Sequence, residues 1–389
     1  MTLAFLAAGL LLAMAPWFSA SAVAPLLRDE WHASGLGLTL LTVAVQVGFA
    51  LGALALAISG ATDVLPSPVM FVAGAWTAAV ATAAFALVAR DPVSGILLRL
   101  ATGAALAAVY PPALKIVAGW FRRDRGLAIG VVIGALTVGS ALPHLLRAVG
   151  ALAAADWREI VLMAALAAAS GPLEARANRF SWRLAATALR EPSVRLANLG
   201  YLGHMWELYA RWTWVPTFLV ASFAAAGLTD PGTASLGAFA VVAVGGAGCV
   251  VAGALADRLG RTTLTIVAMA ASGSSAVAIG FLFGGPPAAV VALGLVWGLT
   301  VVADSAQFSA AISELAPAGT AGSALSLQLA IGFLLTVVTI LGVGALSPTD
   351  GIGWRVAFAA LALGPMVGIV AMARLRLRPE ATRMASGHR

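Results

Sequence analysis

Three ionisable residues share one face of a strongly apolar segment. In Gly200–Pro216, which reads GYLGHMWELYARWTWVP, His204, Glu207 and Arg211 stand three and four residues apart, stacked on one side of a helix. Trp206, Tyr209, Trp212 and Trp214 crowd the same turns. A second apolar run carries Asp304 and Gln307, and a third carries Arg99, Tyr110 and Lys115. Charges in such runs are costly and point to function by default. A carboxyl group held in a low-dielectric pocket can load and release a proton. Glu207 is therefore the first candidate for proton coupling, Asp304 the second and His204 the third. Trp17, Gln46, Arg99, Tyr110, Lys115, Trp206, Arg211, Gln307 and Gln328 are candidates for contact with a solute. Structural roles compete at each: a static Glu207–Arg211 pair, a bracing Arg99, a snorkelling Lys115 and packed glutamines.

The elements that hold these residues follow from composition. The 389 residues are 61% hydrophobic and only 10% charged. A soluble domain carries roughly 25% charged residues, so most of this surface must face lipid. The apolar runs are too long for barrel strands of about 10 residues and read as helices of about 20. Twelve spans are expected, near 3–27, 36–59, 68–89, 93–119, 127–149 and 157–172, then 196–222, 233–256, 263–284, 288–313, 321–346 and 354–374. This divides the chain into an N-terminal six-helix bundle (1–172), a linker (173–195), a C-terminal six-helix bundle (196–376) and a tail (377–389). In the linker Phe180, Trp182 and Leu184 alternate with Arg, which fits a helix lying on the membrane surface or a solvated connection.

With twelve spans, 15 of the 23 basic residues fall on one side, among them Arg122, Arg123, Arg183, Arg258 and Arg374. That asymmetry predicts both termini and the linker in the cytoplasm, as in a bacterial inner-membrane protein. The apolar N-terminus is expected to remain as the first span, because no Lys or Arg precedes it.

Several function classes are excluded. No HExxH, GxSxG, P-loop or His/Cys cluster is present, so neither an enzyme nor a metal or cofactor is expected. One cysteine, Cys249, rules out an internal disulfide. The net charge of +7 lies on no basic stretch interleaved with aromatics, so nucleic acid is not an expected partner. A small solute, a proton and the bilayer are, with the chain expected to be a monomer.

The sequence also repeats. Asp257 follows span eight as Asp63 follows span two, 194 residues earlier (257 − 63). Trp354-Arg355 opens span twelve as Trp157-Arg158 opens span six, 197 residues earlier (354 − 157). Parallel repeats of this kind mark transporters with a midplane site between the halves. Gly253-x-x-x-Asp257-Arg258-x-Gly260-Arg261 resembles the loop signature of the major facilitator superfamily. In the first-half copy Asp63 stands, but Val64, Pro66 and Ser67 occupy the Arg, Gly and Arg places. Arg99 to Gly103 resembles the family's fourth-helix pattern. Gly130, Gly134, Gly139 and Pro143 partly resemble an antiporter motif, which His144 interrupts.

The resemblance covers nearly the whole chain and implies a twelve-helix fold working by alternating access. It implies that spans one, four, seven and ten line the cavity, and that Asp63, Gly253, Asp257, Arg258, Gly260 and Arg261 form a cytoplasmic gate. Tyr209, Trp212, Trp214 and Pro216 are distantly similar to the nitrate/cyanate-porter branch. Nitrate itself is not expected, since Gln46 and the small residues around Gly245 stand where nitrate porters carry arginines. The expected activity is proton-coupled symport of a small anionic or zwitterionic metabolite. A proton-coupled efflux antiporter for amphipathic compounds is the alternative, and a non-transporting membrane sensor is the alternative of another class.

Overall fold

A computed structural model describes residues 2–59, 65–121, 125–152, 156–169, 190–317, 320–346 and 349–388. Asp63, Arg122, Arg123 and most of the expected linker, with Phe180 and Trp182, lie outside these residues. The described chain is 87% helix without strands. Seventeen α-helices follow one another: α1 (Thr2–Ala13), α2 (Ser19–Ala22), α3 (Ala24–Trp31), α4 (Gly35–Ser59), α5 (Ser67–Val88), α6 (Pro92–Leu106), α7 (Tyr110–Trp120), α8 (Arg125–Leu152), α9 (Trp157–Ala168), α10 (Pro192–Ala225), α11 (Pro231–Leu259), α12 (Arg261–Gly280), α13 (Pro287–Val301), α14 (Ser305–Leu315), α15 (Ala321–Leu346), α16 (Gly351–Leu361) and α17 (Leu363–Arg376).

Among the described residues, nine helical stretches are long and apolar enough to cross a membrane. They match expected spans two to five and eight to twelve. Large apolar side chains face outward along them, such as Val80, Leu97 and Val370, as lipid requires. These are the helices of an integral membrane protein.

The other three expected spans differ in form. The first is not one helix but α1, a turn, α2 and α3. Pro16 cannot donate to Leu12 and crowds its carbonyl, so α1 stops at Ala13. The sixth is the 12-residue α9. The seventh, α10, is 34 residues long, about 51 Å, and carries the His204, Glu207 and Arg211 that lower its hydropathy.

Expected spans four and ten both break near their middle, at Ala107–Val109 and Val302–Asp304. Pro111 and Pro112 account for the first break, since they leave the carbonyls of Ala107 and Ala108 without donors. The second lies 195 residues on (302 − 107), has no proline and is built from i→i+3 turns.

Packing repeats with the same offset. Helix α4 packs on α6, and α11 on α13; α5 packs on α6 and α9, and α12 on α13 and on α16 and α17. Gly103 lies against the carbonyl of Val45 so closely that a Cβ would collide with it, and Gly298 lies likewise against the carbonyl of Val241. Two large helix contacts join the two sets. Helix α8 packs antiparallel on α11, from Gly126 beside Gly253 at one end to Ala148 beside Gly232 at the other. Helix α4 packs on α15, with the rings of Phe49 and Phe333 4.2 Å apart.

Candidate functional site

Aromatic residues from both sets meet at the centre. Tyr209 lies between Trp212, at 5.2 Å, and Phe333, at 5.0 Å, and Trp17 packs on both Tyr209 and Phe333 at 5.7 and 5.5 Å. Trp17 stands in the turn that Pro16 forces between α1 and α2, so the broken first helix brings it to the centre. Beside this cluster is a cavity lined by all three tyrosines of the chain, Tyr110, Tyr201 and Tyr209, with Trp212, Ser305 and Ser309. No charged side chain lines the cavity. It is narrow, with room for about one water molecule.

One ionisable pair lies directly behind the wall. His204 Nδ1 is 2.9 Å from Asp304 Oδ1, at an angle short of hydrogen-bond geometry, and both side chains are buried. His204 sits on α10 between Tyr201 and Met205, which line the cavity. Asp304 sits in the break between Val302 and Ser305, which also line it.

Glu207 and Arg211 turn away from the cavity. Ser272 Oγ and Trp297 Nε1 donate to the Glu207 carboxylate at 2.9 and 2.6 Å. Arg211 donates to the carbonyls of Val241 and Gly294 at 3.0 and 3.2 Å, with its guanidinium 4.9 Å from the Trp297 ring centre. The two do not form the ion pair that their spacing allows; Trp297 separates their roles. Arg99 is also a brace. It donates to the Trp17 carbonyl at 2.5 Å and to Ser19 Oγ at 3.1 Å, at the break in the first segment.

Trp206 donates to the Ala360 carbonyl at 3.0 Å and so faces α16. Lys115 is half-buried on α7. Gln46 and Gln328 are buried, with both amide atoms of each lacking a partner. Of the nine expected solute contacts, Tyr110 lines the cavity and Trp17 backs it; Arg99, Trp206, Arg211 and Gln307 are occupied elsewhere.

Gln307 belongs to a polar cluster at the end of the bundle where α11 turns into α12. Gly260, with φ of 88°, makes that turn, a conformation suited to glycine. Arg261 is 2% exposed. Its Nε and NH2 donate to both oxygens of Glu314 at 2.7 and 2.6 Å, and its NH1 donates to Gln307 at 2.8 Å. Asp257 Oδ1 lies 3.2 Å from the same guanidinium. The Asp257 carboxylate also abuts Gly126 in the first turn of α8, in the other set, where a negative charge suits the helix N-terminus. Arg258 is exposed. The Ala385 N–H donates to Glu314 at 3.2 Å, and Ala381 and Met384 are buried against this end.

A second cluster marks the opposite end. Arg158 donates to both oxygens of Glu30 at 2.9 and 2.6 Å and lies over the Trp157 ring, whose Nε1 also donates to Glu30 at 2.6 Å. The Arg158 hydrogen bond, helped by Trp157, holds the Glu30 carboxyl down at about 2.

Glu314, Ser272, Trp297, Phe333, Tyr201 and Ser309 are members of these clusters that the sequence did not single out. The chain's only three tyrosines were the signal for the cavity. Among the described residues no three His, Cys, Asp or Glu side chains gather as a metal site. No family model matches this chain, and no curated protein matches it.

Proposed function

We propose that the chain is a secondary active transporter of the major facilitator type. It moves a small amphipathic organic solute across the bacterial inner membrane by alternating access, with both termini in the cytoplasm. The observation that carries this reading is the central cavity, which holds about one water when closed and must widen to admit a solute. It is enclosed by helices of both repeats, lined by aromatic rings and hydroxyls, and flanked by one buried acid–base pair. Repeats that meet around such a pocket can rock about it.

Two further features support the reading. The packing and the helix breaks recur at an offset of about 195 residues. Asp257, itself paired with Arg261, abuts α8 of the N-terminal set at the end expected to be cytoplasmic. Thus Gly253, Asp257, Gly260 and Arg261 act as a gate, with Glu314 as its anchor. Proton coupling runs through His204 and Asp304, which adjoin the cavity, while Glu207 holds α10, α12 and α13 together.

The lining favours an amphipathic body over a strongly hydrated ion, because rings offer apolar contact and hydroxyls a few directed hydrogen bonds. It suits uptake by symport and efflux by antiport equally. The test is flux into proteoliposomes under an imposed pH gradient, using radiolabelled benzoate, tryptophan and a quaternary ammonium dye. Accumulation driven by an inward proton gradient supports symport, and the opposite dependence supports antiport. No gradient-dependent flux of any of them, with the sensor reading then favoured, counts against transport.

A further inference from the structure

Helix α8 carries two basic side chains that the transport reading leaves unused. His144 is 3% exposed and Arg147 is 8% exposed. Neither forms an ion pair among the described residues, and Arg147 NH1 is buried without a hydrogen-bond partner. An unpaired guanidinium inside an apolar bundle is a costly feature and calls for an anion.

Their place on the helix says where the anion belongs. Ile133 and Leu136 of α8 line the central cavity. Ser140, His144 and Arg147 continue the same helical stripe at spacings of four, four and three residues. Arg147 is therefore about 16 Å from Leu136 along α8, toward the end marked by Trp157. The acids at that end are engaged or turned to solvent. Glu30 holds Arg158 and Trp157, Asp156 also contacts Arg158, Asp230 caps α11, and Glu159 is exposed.

We propose that Arg147 and His144 form an anion-recognition site at the outer mouth of the pathway, taking the carboxylate of an aromatic or otherwise amphipathic organic acid. The guanidinium supplies the charge, and the imidazole one turn inward supplies a second donor. The apolar body then passes along the α8 stripe into the aromatic cavity. This names a substrate class for the transport reading and rests on it. Two properties of the solute follow from two places on one helix: its charge is read at Arg147, and its rings at Tyr209 and Trp212.

The test titrates the full-length protein in nanodiscs with benzoate, benzamide and benzylamine, read by tryptophan fluorescence. Benzoate is expected to bind about tenfold or more tightly than its neutral amide, because a charge-assisted hydrogen bond is at stake. R147Q is expected to weaken benzoate far more than benzamide and so to remove most of that preference, and R147K to retain most of it. Thermal unfolding of R147Q beside the parent protein checks that the variant is folded. Equal binding of benzoate and benzamide, no binding of either, or equal weakening of both in R147Q overturns the proposal. Flux of the same compounds in proteoliposomes separates the two readings. Flux without charge preference removes the Arg147 site and keeps the transporter; charge-selective binding without flux does the reverse.

Discussion

The indole N–H of Trp297 donates to Oε1 of Glu207 at 2.6 Å, and the same ring lies under the guanidinium of Arg211. One tryptophan on α13 therefore satisfies an acid and shields a base that stand one turn apart on α10. Removing the indole donor leaves the carboxylate with the Ser272 hydrogen bond alone. Trp297→Phe is expected to destabilise the protein by about 1–3 kcal/mol, the cost of an unmet buried acceptor. Glu207→Gln, which still accepts from Trp297, is expected to cost less and to leave the pH dependence of flux in place. Thermal unfolding in detergent with parallel flux measurements checks both; abolished proton coupling in Glu207→Gln would return that role from His204 and Asp304 to Glu207.

Arg261 and Glu314 make a two-pronged pair with one partner almost fully buried. Glu314→Ala leaves Arg261 with Gln307 and Asp257 alone, and is expected to cost about 1–3 kcal/mol. Arg261→Lys loses the planar fork and is expected to lose part of that stability. A chain ended at Leu377 lacks the Ala385 hydrogen bond and the buried Met384, and should lose stability at the same end. Hydrogen exchange at Gln307 and Glu314 reports this directly. Unchanged protection there would show that the tail does not hold the cluster.

Much of this was legible from residue types. Long apolar runs located nine membrane-length helices, and Asp257 with Arg261 announced a charged turn between two of them. The positions of Arg99 and Arg211 were not legible. Each satisfies backbone carbonyls on neighbouring segments, and no spacing along α6 or α10 reveals that. The cavity was hidden for the same reason, since Tyr110, Tyr201 and Phe333 sit on three helices whose pairing is a tertiary fact. Glu314 falls just past a span, where an acid reads as solvated until Arg261 is seen to reach it.

Glu30 gives the pH dependence a sign. Its carboxyl is held near 2 in the folded chain against an ordinary 4.5. A depressed acid stabilises the fold above its unfolded value, and that contribution fades as pH falls from about 4.5 through 2. Glu30→Gln should therefore be less stable than the parent at pH 7, with the gap closing across that acid window. Since Glu30 is well exposed, the gap is small. Melting temperatures of the two proteins at several pH values check it; a gap that stays constant down to pH 2 contradicts the assignment.

The repeat makes a paired prediction. Gly103 and Gly298 occupy equivalent places, each pressed on a carbonyl of the neighbouring helix. Alanine at either should force the helices apart and cost about 1–3 kcal/mol, by similar amounts. A large effect at one and none at the other, by thermal unfolding, would show that the two sets do not share this contact in solution.

The most direct test of the whole account is access to the cavity from each membrane face. With Cys249 replaced by serine, a single cysteine at Ser309 is labelled in oriented vesicles by a membrane-impermeant maleimide applied from one face or the other. Alternating access predicts labelling from both faces, with Asp257→Asn raising the rate from the linker face and lowering it from the opposite face. Labelling from one face alone, or rates that change in the same direction, would contradict it.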